Sequence, residues 1–158
     1  MVDAALRPGH EAALKADLAK IVEMIPSRDL AINWDCSWGI ADVYVGVPGV
    51  DRENAIERNR GQIRNLSWAI PAEVRLGMRV CFGTFGGWPR FAPDDLGAAA
   101  RSFNAAMANA GRRFDWVHIP TLGRSDDAFF APLAWLESRG REFISDPSIT
   151  CPASRSAW

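Results

Sequence analysis

Three short apolar segments of this chain end in side chains able to do chemistry. Asn33, Asp35 and Cys36 close the first, Arg79 and Cys81 lie in the second, and His118 and Pro120 end the third. Successive side chains along a strand point to opposite faces. Asn33 therefore shares a face with Asp35, Arg79 with Cys81, and His118 with Pro120, where a plain core would place Val or Ile. An acid, a thiol and an imidazole at neighbouring strand ends suit a site: Cys81 as nucleophile, His118 as base, Asp35 and Asn33 as binding groups. Each also has an ordinary reading: Cys81 as a small buried hydrophobe, His118 as a hydrogen-bonded interior residue, Asp35 as an acid whose burial requires a partner. Arg79 can be that partner, or can instead lower the thiol pKa of Cys81. Cys36 should face away from Asp35 and belong to the core.

The elements that would position these groups follow from hydrophobic period and punctuation. His10 to Ile25 has a period near 3.6, which predicts an amphipathic helix stopped by Pro26. Asp29 to Asp35 reads as a buried strand, followed by a loop with Gly46, Pro48 and Gly49. Asp51 is a plausible N-cap, with Glu53 in the first turn of a helix to about Ala69. Val74 to Phe82 is the second strand, Gly83 to Pro93 a loop, and Asp94 to Ala110 a helix closed by Gly111. Asp115 to Ile119 is the third strand, and a helix runs from Asp126 and Asp127 to Gly140. Arg141 to Ser145 would begin a fourth strand, before a polar, proline-containing tail. Residues 141–158 are read as an irregular tail to a domain of residues 1–140.

Alternation of strand and helix predicts a parallel α/β sheet. An open doubly wound sheet and part of a (β/α)8 barrel both fit, and a full barrel takes about 250 residues. The glycine-rich Gly83-Thr84-Phe85-Gly86-Gly87 lacks the spacing of a phosphate loop. Trp88 beside it could stack on a ligand. Arg58, Arg60 and Arg64 read as a solvated helix face alongside Glu53 and Glu57.

The chain has 158 residues, 48% hydrophobic and 23% charged, with a net charge of −1. This composition excludes a wholly disordered chain, and the absence of a basic excess argues against a nucleic-acid binder. No apolar run approaches the ~18 residues of a membrane span. Neither a secretory signal nor a cysteine framework is recognisable in the sequence, so a cytoplasmic location is expected.

The stretch Leu76-Gly77-Met78-Arg79-Val80-Cys81-Phe82-Gly83-Thr84-Phe85-Gly86 resembles the barrel superfamily of cobalamin-independent methionine synthase and uroporphyrinogen decarboxylase. It is similar to a methionine-synthase-like branch with "LGYHLCYGDFGH", "DWIHMPVPR" and "DDAYFAPL"; the last two appear here as Asp115-Trp116-Val117-His118-Ile119-Pro120 and Asp126-Asp127-Ala128-Phe129-Phe130-Ala131-Pro132-Leu133. Leu30-Ala31-Ile32-Asn33-Trp34-Asp35 resembles the branch's "LAIQWD". The resemblance covers roughly residues 10–140.

It implies a partial TIM-type (β/α)8 barrel, roughly half of one, from a family that transfers one-carbon (methyl) groups to a thiol. It implies that Asp35 binds a substrate amine with Cys81 near the reacting centre, and Arg124-Ser125-Asp126 echoes a family motif that puts Asp126 beside the substrate; the strand-end pattern adds Asn33 and Arg79 to the substrate side with Trp88, and His118 to the reacting centre. Intact relatives hold zinc with a His-x-Cys pair, a Glu and a distant Cys. Here Cys81 fits the first cysteine, but Arg79 takes the histidine position and Pro120 the glutamate position. Of the ligands, Cys81 alone remains, so no cofactor is expected in this chain. A truncated family member is the expectation that follows, with self-association through exposed sheet edges. The other reading is a non-catalytic α/β module that binds a small, amino-acid-like ligand or assembles with a second chain. Neither involves nucleic acid or a membrane.

Overall fold

A computed structural model describes residues 6–46, 51–82, 84–85, 88–89, 91–137 and 142–146. Helix α1 (Arg7–Met24) leads through a short 3₁₀ turn (Ser27–Asp29) into strand β1 (Ala31–Asp35). Helices α2 (Ser37–Tyr44) and α3 (Arg52–Ser67) connect it to β2 (Arg75–Arg79). A small antiparallel pair, β3 (Thr84–Phe85) and β4 (Trp88–Pro89), precedes α4 (Gly97–Asn109) and β5 (Trp116–Pro120). Helix α5 (Asp127–Phe130) and a 3₁₀ segment (Ala131–Trp135) lead to β6 (Glu142–Asp146).

The main sheet is parallel and ordered β1-β2-β5-β6. Each crossover moves one place in the same direction. With the usual right-handed crossover, such a chain lays all its helices on one face. The burial pattern agrees. Leu76, Met78, Val117 and Ile119 pack in one core with Leu18 of α1, Ile40 of α2, Ile63 of α3 and Phe103 of α4. Ala31, Asn33 and Asp35, on the opposite face of β1, are exposed. A doubly wound sheet reverses its strand order and carries helices on both sides; among the described residues this sheet does neither.

Local chemistry explains most of the boundaries. The Asp51 carboxylate caps α3 by accepting the Asn54 N–H at 2.8 Å. Gly111 follows α4 with φ +72°, a conformation that suits glycine. At the amino-terminal end of β2, Arg112 donates from Nη1 to the carbonyls of Ile70 (3.0 Å) and Pro71 (2.6 Å). Its Nη2 donates to the carbonyl of Val74 at 2.6 Å. Beside it, the Asp115 carboxylate accepts the Leu76 N–H at 2.9 Å.

Several sequence expectations change. The segment after β1 begins with helix α2, and the loop over 83–93 contains the β3–β4 pair. The helix expected from Asp126 to Gly140 is a single turn continued as 3₁₀, because Pro132 has no N–H for a longer α-helix. Arg58 is not simply solvated: it pairs with Asp42 of α2 at 2.8 Å and docks the two helices. The α1 face is only partly covered, with Leu18 buried and Ile21 and Met24 43% and 80% exposed. Residues 141–158 are not irregular throughout, since β6 joins the main sheet. The remainder of that tail, with Cys151, lies outside the described residues. Among the described residues no helix is long and apolar enough to cross a membrane.

Candidate functional site

Register assembles the site. Asp35 lies beside Arg79, and Arg79 beside His118; one layer nearer the amino-terminal ends, Asn33 lies beside Gly77 and Gly77 beside Trp116. Paired residues in a parallel sheet point to the same side, so these groups share the face on which none of the described helices packs. Asn33, Asp35, Arg79 and His118 are brought together there, as their alternation predicts.

Asp35 and Arg79 form its centre. Arg79 Nη1 donates to Asp35 Oδ2 at 2.6 Å, with the two side chains 25% and 44% exposed. Asp35 Oδ1 accepts from the Ser37 N–H at 3.0 Å and the Ser37 hydroxyl at 2.6 Å. Burial by itself would raise the Asp35 pKa, but the hydrogen bonds from Ser37 and Arg79 outweigh it and hold the carboxyl below its ordinary value. Burial likewise favours loss of the Arg79 proton, and the bond to Asp35 together with the nearby Cys81 sulfur reverses that, raising its pKa. Cys81 is a free, buried thiol against this guanidinium.

Below this layer, in the direction of the amino-terminal strand ends, Trp116 lies over Gly77. A Cβ built at residue 77 would fall 1.8 Å from Cε2 of the indole. The indole N–H donates to Asn33 Oδ1 at 3.1 Å, and the Arg75 guanidinium sits 5.3 Å from the ring centroid. Trp116 is thus a floor beneath Asp35 and Arg79. The strand-end pattern does not single it out. Its signal was present: an aromatic in phase with His118, next to a strand glycine of the kind that admits a close approach.

The other expected site residues lie elsewhere. Asp126 is held by Arg124 through bonds of 2.5 and 2.7 Å in the loop after β5, and Arg124 also stacks on Phe129. The backbone of Trp88 belongs to β4, paired with Phe85, and its side chain lies outside the described part of the structure. Pro120 is buried. Cys36 packs against the core as expected, and burial, with the adjacent Asp35 charge, pushes its thiol pKa up to about 12.

Among the described residues no group of three or more His, Cys, Asp or Glu side chains could hold a metal ion. Where a ligand would be needed beside Cys81, Arg79 supplies a permanent cation already bonded to Asp35. A dication there would be repelled by the guanidinium and deprived of the carboxylate. What the arrangement offers instead is hydrogen bonding to an ionic ligand: a carboxylate with acceptor capacity left on Oδ2 and a guanidinium with donors beyond Nη1.

Comparison of the chain with protein-family models, curated proteins and solved structures finds no match in any of the three.

Proposed function

We propose that this chain is a methionine-synthase-like barrel unit whose open sheet face binds a small amino-acid-like zwitterion without metal. The ligand amine sits on the free acceptor of Asp35, and its carboxylate takes the remaining donors of Arg79. The apolar part of the ligand rests on the indole of Trp116. The observation that carries this reading is the 2.6 Å Asp35–Arg79 bond on the face away from the helices, which sets a partly exposed carboxylate and guanidinium side by side as partners for the two ionic groups of an α-amino acid. This is the non-catalytic reading of the sequence. The ordered family motifs support the barrel, and the exchange of a histidine ligand for Arg79 argues against zinc-dependent transfer.

Calorimetric titration with free α-amino acids bearing thiol or thioether side chains tests it. Binding is expected for the zwitterions and not for their amides or N-acyl derivatives, with affinity falling at least about tenfold in Asp35→Asn and in Arg79→Gln; a charge-assisted bond contributes on the order of 1.5–3 kcal/mol. No binding, or binding indifferent to both substitutions, refutes the proposal. Methyl transfer to a thiol is the second reading, favoured by the free thiol of Cys81 at the site. It requires stoichiometric zinc in the purified protein that is lost in Cys81→Ser.

A further inference from the structure

The sheet is unfinished in a directional way. Parallel sheets ordinarily have both faces covered, yet the described helices all pack on one face of this one, and the β1 side of the other face, with Ala31, Asn33 and Asp35, is exposed. Its two edges are the outer sides of β1 and β6, each of which pairs with one neighbour among the described residues. The β1 edge is a row of backbone groups. Cys36 N–H bonds inward to the Arg79 carbonyl, so by alternation Ala31, Asn33 and Asp35 direct their backbone N–H and C=O groups outward. An open row of this kind is a template for another strand.

Helix α1 leads into this edge strand and packs on α3. It leaves Ile21 and Met24 exposed, as is Leu6 just before it. In an alternating α/β sheet, a helix at that place covers its own strand and the strand before it. The apolar residues of α1 are therefore arranged for a strand and helix pair beyond β1 that these elements do not supply.

The face away from the helices narrows the choice of occupant. It carries Asp35, Arg79, Asn33 and Arg75, and an apolar helix laid over these would strand their charges. A wall that is itself polar would not. The strand count gives the rest: the four parallel strands of the main sheet among the described residues, in unbroken order, are half of the eight at which a parallel barrel closes around its own side chains.

We infer that two copies of this chain join edge to edge, β6 of each against β1 of the other, closing one eight-stranded parallel barrel with both Asp35–Arg79 pairs inside. The two-fold axis runs along the barrel. Each junction joins unlike edges, and the ring closes after two steps instead of growing into a fibre. The inference rests on the barrel-unit reading above, and the second copy supplies the far wall of the ligand site.

Sedimentation velocity on the full chain decides it. A single species at twice the chain mass is expected, persisting on dilution through the micromolar range. Ala31→Pro deletes an outward N–H at the first residue of the edge strand, where the preceding Leu30 is already extended at ψ 131° as proline requires. Met24→Lys puts a charge on the exposed side of α1. Each should convert the dimer to a monomer with an unchanged far-ultraviolet circular dichroism spectrum. Should Ala31→Pro fail to fold, Met24→Lys, at a fully accessible position, decides alone. A monomeric wild type, a ladder of species growing with concentration, or a dimer unaffected by the folded variants overturns the inference. Titration separates the two proposals. A monomer that takes up the amino acid removes the pairing only, and a dimer that takes up none removes the ligand only.

Discussion

The Trp116 indole occupies the space a side chain at residue 77 would need: a Cβ on Gly77 would sit 1.8 Å from the ring. The two residues are partners on adjacent strands, and the glycine is what allows the aromatic ring to lie flat against the sheet. Gly77→Ala must therefore lift the indole and break its bond to Asn33. The expected loss is about 1–3 kcal/mol, typical of overpacking. Urea denaturation measures it, and a second substitution, Trp116→Leu, should recover part of the loss by making room. An unchanged midpoint in Gly77→Ala would mean the ring does not lie there.

Asp35 gives a signed pH dependence. Its pKa is lower in the folded chain than in the unfolded one, so ionised Asp35 adds stability above its unfolded pKa. That stability is lost as pH falls through the folded value, while protons bind more readily to the unfolded chain. Because the carboxylate is 44% exposed, the contribution is screened and amounts to about 1 kcal/mol or less. The difference in melting temperature between wild type and Asp35→Asn should shrink as the solution is acidified from neutrality to below the ordinary carboxylate range. A difference that grows on acidification contradicts the assignment.

Arg112 satisfies three carbonyls at the base of β2, of Ile70, Pro71 and Val74. Arg112→Ala leaves these acceptors to partial solvation and should cost about 2 kcal/mol. Arg112→Lys should recover only part of that, since one ammonium cannot reproduce the planar fork. Chemical denaturation of the three proteins orders them wild type, Lys, Ala. Equal stability of the Lys variant and wild type would reduce Arg112 to a point charge.

Burial and the Asp35 charge make Cys36 a thiol with a pKa of about 12, so almost no thiolate is present near neutrality. Iodoacetamide at pH 8 should leave the peptide containing Cys36 unmodified in the folded protein and alkylate it in urea. Mass spectrometry reads the difference. Rapid modification in the folded state would show that the loop opens readily.

Much of the sheet was legible because its signals are local. Alternation put Asn33 and Asp35 on one side and Leu76 and Met78 on the other, and Asp51 announced the start of α3. Helix α2 was not legible: Ser37-Trp38-Gly39-Ile40-Ala41-Asp42-Val43-Tyr44 contains a glycine, two aromatics and two β-branched residues, all weak helix formers. It is held by tertiary contacts such as the Asn59 amide on the Gly39 carbonyl and the Tyr44 hydroxyl on the Asp95 carbonyl. The last helix was overextended because Phe130, Leu133 and Leu136 keep a helical spacing past Pro132. Within the site, alternation predicts which residues share a face. It does not give the distance at which Arg79 chooses Asp35, nor the placement of Trp116 across two strands.

The sparse attachment of α1 has a kinetic meaning. Eighteen residues of helix are fastened to the body chiefly through buried Leu18 and partly buried Val22, while the sheet is stitched by ladders on several sides. Its amides should therefore exchange with deuterium through an opening that leaves the strands closed, at a free energy well below that of global unfolding. Leu76 and Val117 should keep their protons long after Ala13 and Lys20 have lost theirs.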